Sequence, residues 1–381
     1  MHTMSVYSDI TARLSESGNL RTIPCPAIGS HNVIDLSSND YLGLGTDPSL
    51  QAEFMDSPAR RAIPLTSSAS RLLAGRQDEY ASLEALLQEL YCRPALLFNS
   101  GYHANTGLVS ALAGVKGTMI VADRLVHASI IDGMVLSKAP FTRFRHNDLG
   151  HLERIIEKES RSHERLLVIV ESVYSMDGDH ADIEALTAIK RRHPGVMLYV
   201  DEAHAFGVEG ARGLGLCRSA ASYTDIDVVV CTFGKACASM GAFAAVSPDI
   251  REYLVNTSRS LIFSTALPPI SAAWTEWVIR HFVGLDSRRD HLRSLGSRLH
   301  SILAPLSASP TEPSHIQPLV VGDPRKAVEL SQSLLEAGFK VLPIRTPTVP
   351  PGTERLRFSL SASLPLEALD PLDDFFSRNE I

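Results

Sequence analysis

Asp201 closes one apolar run, VMLYVDEAH, and Lys235 follows the next, IDVVVCTFGK. A lysine set among Gly234, Ala236, Ala238 and Gly241 has little room to reach solvent. A desolvated ammonium gives up its proton more readily and becomes a nucleophile toward aldehydes. An aspartate at a fixed buried position keeps a pyridine nitrogen protonated. The two together are what pyridoxal 5′-phosphate (PLP) requires: a covalent anchor that doubles as a base, and a fixed charge for the electron sink. Taken alone, a lysine after a strand is an ordinary loop residue. The other polar groups at strand ends change that reading. His127 follows TMIVAD, and Glu171, Ser172, Ser175 and Asp177 end LLVIVESVYSMDGD. Asn99-Ser100-Gly101-Tyr102 makes a tight turn into a helix, where free N–H groups suit a phosphate. Ser175 and Thr232 add hydroxyl donors, and Tyr102 offers a ring to a flat ligand.

The elements that must position these groups alternate strand and helix from about residue 95 to 235. Their strands are nearly continuous apolar runs, the pattern of a parallel sheet covered on both faces, and such sheets bind ligands beyond the strands' C-terminal ends. Leu83, Leu86, Leu87, Leu90 and Tyr91 mark the buried face of a helix that Asp78 can cap. His146 and Asn147 read as turn and cap of a later helix. Asn39 and Tyr41 sit where IDLSSNDYLGLG breaks from a strand. From about residue 285 the pattern becomes helix 287–304, a Pro/Ser linker, strand HIQPLVVG, helix 325–338, strand KVLPI and strand LRFSLSA. The expected organisation is a helix and irregular arm over 1–38 (Pro24, Pro26), a large domain over 39–284, and a small α+β domain over 285–381.

Composition excludes several classes. With 44% hydrophobic and 21% charged residues the chain is globular, and its net charge of −7 disfavours nucleic acid as a main partner. No apolar run is long enough to span a membrane and no signal-peptide pattern opens the sequence, so a cytoplasmic protein is expected. Cys25, Cys92, Cys217, Cys231 and Cys237 show neither a disulfide framework nor metal-ligand spacing; no metal is expected, and Cys231 and Cys237 read as small buried fillers.

The segments NSGYHAN, DRLVHAS, ESVYSMDGD, VDEAH, TFGKA, FSTALPP and PTVPPGTERLRFSLSA stand in the order and spacing of the α-oxoamine synthases, and the chain resembles that family over nearly its whole length. The resemblance implies an α/β, fold-type I PLP-dependent transferase: a large domain with a mainly parallel central sheet and a smaller C-terminal α+β domain. It implies that Lys235 forms the imine with PLP and moves the substrate Cα proton, which demands a pKa near neutrality. Asp201 then pairs with the pyridine nitrogen, His204 with the ring hydroxyl, and His127 stacks on the ring face. Gly101, Tyr102, Ser175 and Thr232 hold the phosphate, and Thr265 reaches that of a partner subunit in a homodimer with a shared active site. Asn39 and Arg357 bind the amino-acid carboxylate, Arg345 and Thr348 line the site, and Arg21 meets the acyl chain. Arg355 and Arg357, two apart on one strand, face the same way.

The implied reaction is decarboxylative condensation of an amino acid with an acyl thioester, releasing CO2 and thiol. L-alanine with pimeloyl-CoA or a pimeloyl carrier protein is the expected pair; TFGKA and the apolar Leu72 lean that way. Relatives using glycine or serine with other acyl groups are the alternative. An aminotransferase fits less well, because His204 stands where those enzymes often carry tyrosine, and a non-catalytic PLP-binding module less well still. The chain departs from the family pattern at TSSAS (Thr66 to Ser70), where more glycine is usual, at Ala205, and at Cys237 and Ala238, where an aromatic residue or glycine is usual. These departures bear on acyl specificity and remove no catalytic group.

Overall fold

A computed structural model describes residues 3–23, 33–74, 77–308 and 311–378. The arm expected around Pro24 and Pro26, with Cys25, lies outside them. The chain divides into two compact units. One comprises Leu42–Tyr174 and His180–Arg289; the other comprises Met1–Tyr41, Ser175–Asp179 and Asp290–Ile381.

Among the described residues twelve strands occur in chain order: β1 Ile34–Asp35, β2 Ala95–Phe98, β3 Thr118–Asp123, β4 Phe141–Phe144, β5 Arg165–Glu171, β6 Val196–Asp201, β7 Val228–Thr232, β8 Ala242–Val246, β9 Ile316–Val320, β10 Phe339–Lys340, β11 Leu342–Ile344 and β12 Arg355–Ser359.

The larger unit is built on a seven-stranded sheet in the order β2-β8-β7-β6-β5-β3-β4. All neighbours are parallel except β8, which runs antiparallel to both β7 and β2. A parallel crossover needs a dozen or more residues, and the turn from Thr232 to Ala242 is shorter, so β8 returns as a hairpin. This strand, AFAAV, was not anticipated: its small side chains look like a continuation of the loop after Lys235. The register puts Glu171 beside Asp201, and Asp201 beside Val230. The polar strand ends therefore share one edge of the sheet.

Helices Gly101–Ala113 and Ala128–Ser137 cover one face, with Ala104, Leu108, Ile130 and Met134 in the core formed by β3, β5 and β7. Gly133 lets these helices approach closely. A Cβ there would lie 2.9 Å from Val109 Cβ and 3.1 Å from Asn105 O. The helix Asp78–Tyr91 buries the five residues expected of it. Asp78 does not cap it, because the helix begins one residue earlier than the pattern implies and Gln77 takes the cap position. Asp148 caps the helix Leu149–Glu159. His146 and Asn147 bind the Asp123 carboxylate instead, at 2.9 Å each. Cys217, Cys231 and Cys237 are buried and outside any disulfide among the described residues.

In the smaller unit, β9, β11 and β12 form an antiparallel sheet in the order β11-β12-β9, and β1 pairs in parallel with β10. Helix Pro324–Glu336 starts at Asp323, whose carboxylate accepts the N–H groups of Arg325 and Lys326. The short segment Ser175–Asp179 belongs here. A Cβ on Gly178 would fall 2.0 Å from Ile316 O, so only glycine permits that approach to β9.

Candidate active site

Within the larger unit, Asp201 ends β6 and is 4% exposed. Its Oδ2 accepts from Asn105 Nδ2 at 2.7 Å and its Oδ1 from the Ala203 N–H at 2.9 Å. No cation pairs with this carboxylate among the described residues. Burying a carboxylate is costly, and a positive partner offsets that cost. Lys235 follows β7, the neighbour of β6, and its Nζ lies 2.7 Å from His204 Nε2.

His127 caps the helix Ala128–Ser137, its Nδ1 2.7 Å from Ser129 Oγ and accepting the Ser129 N–H at 3.3 Å. Partial enclosure lowers its pKa below the ordinary histidine value. The Asp201 charge opposes that shift and the Lys235 charge reinforces it. Lys235, His204, Asp201 and His127 thus form one cluster at the C-terminal edge of the sheet.

Ser100 caps the helix Gly101–Ala113, and a Cβ on Gly101 would sit 3.5 Å from Thr232 Oγ1. The helix N-terminus and Thr232, expected together at a phosphate, are together here. The Thr232 hydroxyl donates to Gly241 O at 3.1 Å and accepts from the Gly234 N–H at 3.3 Å, which fixes the backbone on either side of Lys235. Thr265 is exposed; it forms a β-bridge with Ser70, and its carbonyl accepts from Asn99 Nδ2 at 2.5 Å.

These groups fit PLP: a buried carboxylate with no cation paired to it among the described residues, a lysine one strand away, and a helix N-terminus beside a threonine. Next to Asp201, Glu202 is fully buried, its Oε1 accepting the N–H groups of Leu216 at 2.8 Å and Cys217 at 3.1 Å. Burial pushes its carboxyl up to about 7.

Within the smaller unit, Arg357 is 5% exposed. Its Nε donates to Ser175 O at 2.6 Å, and its terminal nitrogens to Asn39 Oδ1 at 3.3 and 3.4 Å and Tyr41 Oη at 3.5 Å. Every one of these acceptors is neutral. Arg355, two residues earlier, pairs with Asp177. Arg21, Arg345 and Thr348 form a second group. Arg21 Nη2 donates to Thr348 Oγ1 at 3.2 Å and to the carbonyls of Arg345 and Thr346 at 3.4 Å, while Arg345 Nη1 donates to Gly18 O and Leu20 O. Neither guanidinium has an acidic partner among the described residues.

Residues 31–374 match the family described as aminotransferase class I and II. The chain belongs to this family. Among its relatives in the class I and II aminotransferase family, a putative 8-amino-7-oxononanoate synthase of Pasteurella multocida is 49% identical over 88% of this chain and 87% of its own length. The 8-amino-7-oxononanoate synthase of Chlorobaculum parvum is 44% identical over 94% of this chain and 92% of its own. Among solved structures, Sphingomonas wittichii serine palmitoyltransferase superposes with a TM-score of 0.87 at 32% identity, covering 98% of this chain and 96% of that one. An 8-amino-7-oxononanoate synthase of Francisella tularensis gives 0.75 at 26%, covering 91% and 98%. The architecture is that of a fold-type I PLP-dependent transferase, as the motifs imply.

Three polar residues of the cluster were not anticipated: Asn105, Ser129 and Tyr199. Their one signal in the sequence is a polar atom at positions whose neighbours are core: Asn105 between Ala104 and Leu108 on one helix face, and Tyr199 inside an apolar strand.

Proposed function

We propose that this protein is an 8-amino-7-oxononanoate synthase, condensing L-alanine with a pimeloyl thioester to 8-amino-7-oxononanoate, CO2 and free thiol in biotin biosynthesis. The observation that carries the reading is the buried Asp201 carboxylate at the end of β6, with no cation paired to it among the described residues, and Lys235 just after the adjoining β7. The high-coverage relatives named for this activity support the choice of reaction.

When bound, PLP supplies an aldehyde that captures the amino group and a ring that takes up the electron pair left at Cα. The chain's own residues do the rest. Asp201 keeps the proton on the pyridine nitrogen, and His204 holds Lys235 Nζ in place. Lys235 Nζ takes the proton from Cα and returns one after the carboxylate leaves as CO2. Arg357, with Asn39, binds the amino-acid carboxylate; a buried guanidinium facing only neutral acceptors keeps its charge available for an anion. Thr232 and the Gly101–Tyr102 N–H groups take the phosphate, with Ser175 as a further donor, and His127 covers the ring. Arg21 and Arg345, side by side beside Thr348, suit the far carboxylate of a pimeloyl chain.

The protein acts in the cytoplasm as a homodimer, Thr265 reaching the partner's phosphate. Exposed Leu72, Leu73 and Phe263 flank the Ser70–Thr265 bridge and support an interface there. Among the described residues no helix is long and apolar enough to cross a membrane. Serine with a long-chain thioester is the second reading, favoured by the superposition on serine palmitoyltransferase. A panel of alanine, glycine and serine against acyl thioesters on CoA and on carrier protein, read by thiol release and product mass, decides. Alanine with a pimeloyl donor is the expected best pair; a preference for serine or glycine overturns the proposal.

A further inference from the structure

The geometry points to Asn105 as a positioning residue that locks Asp201 and His127 into one directed hydrogen-bond chain, so that the imidazole meets the cofactor neutral and protonated on Nε2. This rests on the reading of Asp201 as the partner of the pyridine nitrogen.

Four of the members are deep in the fold, with Asn105 2% exposed, Asp201 4%, and Ser129 and Tyr199 fully buried, while His127 lies at the exposed end. Asn105 Nδ2 lies 2.7 Å from Asp201 Oδ2 and 2.9 Å from Ser129 Oγ, and its Oδ1 lies 2.6 Å from Tyr199 Oη. A carboxylate only accepts, so the amide must turn its NH2 toward Asp201. Both amide protons are then used, one on Asp201 and one on Ser129. The amide oxygen faces Tyr199, whose hydroxyl is held protonated by burial and by the Asp201 charge, and so donates.

With Ser129 Oγ accepting from Asn105, its own proton is free for His127 Nδ1 at 2.7 Å. The Ser129 backbone N–H points at the same nitrogen. Nδ1 therefore receives two donors and carries no proton, which leaves the proton on Nε2. Each bond has one allowed direction, and Asn105 is the branch point. Its reach depends on the close packing at Gly133, where Asn105 O is one of the nearest atoms. Local backbone N–H groups hold one side of each end residue, and Asn105 joins the two ends.

The test is the isosteric Asn105→Asp variant, with Ser129→Ala beside it. In protein free of PLP and labelled with 15N-histidine, the His127 ring of the wild type should show an unprotonated Nδ1 and a protonated Nε2. In Asn105→Asp, two adjacent carboxyls must share a proton, and Ser129 Oγ turns its hydrogen toward residue 105. His127 Nδ1 then loses its hydroxyl donor, the Nε2 tautomer preference weakens, and the PLP dissociation constant, read by equilibrium dialysis, rises at least about tenfold. Ser129→Ala removes the hydroxyl donor but keeps the backbone N–H at Nδ1, so the Nε2 preference should weaken while the bond to Asp201 stays in place, and PLP affinity should fall by less than about threefold. It carries the test should Asn105→Asp not fold. An unchanged His127 tautomer in both variants overturns the proposal. A wild type that shows the Nε2 tautomer but does not bind PLP overturns the reading of Asp201 and leaves the hydrogen-bond chain standing, so the two failures are distinct.

Discussion

Arg357 illustrates how much a single side chain can reveal. Its guanidinium is buried against a carbonyl, an amide oxygen and a phenol, with no acid in reach among the described residues. A lysine supplies the charge but not the planar fork. Arg357→Lys should raise the KM for the amino acid about 10- to 100-fold with a smaller change in kcat; steady-state kinetics against the amino acid checks this, and an unchanged KM removes Arg357 from the carboxylate site. Lys235→Ala should fold normally yet fail to retain PLP covalently: borohydride treatment should mark the Lys235 peptide of the wild type and nothing in the variant. Label at another lysine would misplace the anchor. Lys235 and Asp201 were legible because chemistry-bearing residues at the ends of apolar strands stand out against their context. Asn105 was not. One amide inside a helix of alanine, leucine and valine looks like tolerated polarity until the carboxylate from another strand is seen opposite it.

At the level of elements, the strand–helix alternation foretold the parallel sheet, and the change of pattern near residue 285 foretold the helices and strands that follow. The strand β8 escaped notice because period and length cannot separate a short run of alanines from loop. Backbone conformation was hidden too. Ser68 has φ +53° and Ala238 φ +48°, both at positions where the family pattern is richer in glycine. The backbone thus takes left-handed geometry there without a glycine. The helix pair over β3 and β5 depends on a glycine that remains. Gly133→Ala should push the helices Gly101–Ala113 and Ala128–Ser137 apart and cost about 1–3 kcal/mol, measured by urea unfolding. A cost near zero would mean that the contact at Val109 yields freely.

Stability of the whole molecule carries a signature from Glu202. Burial raises its carboxyl to about 7, above the value of about 4.3 expected in an unfolded chain. The folded state therefore binds an extra proton between those values. This contribution is fully present below the unfolded value and is lost as pH rises through the folded one. Glu202→Gln keeps the shape and removes the titration. Its stability relative to wild type, from urea unfolding, should improve between pH 5 and pH 8; a constant difference would mean that the carboxyl is already ionised at pH 5.

Strand β1 pairs with β10, although the two are separated by roughly 300 residues of chain. A ribosome adds about 5–20 residues each second. Ile34 and Asp35 therefore emerge on the order of 15–60 s before Phe339 and Lys340 exist to receive them. Through that interval the larger unit can complete its sheet, while the smaller one waits for its last segment, Asp290–Ile381. The order of synthesis gives the nascent chain a period in which the nearly finished lysine-bearing half stands without the guanidinium half, and in which its early segment is open to chaperones.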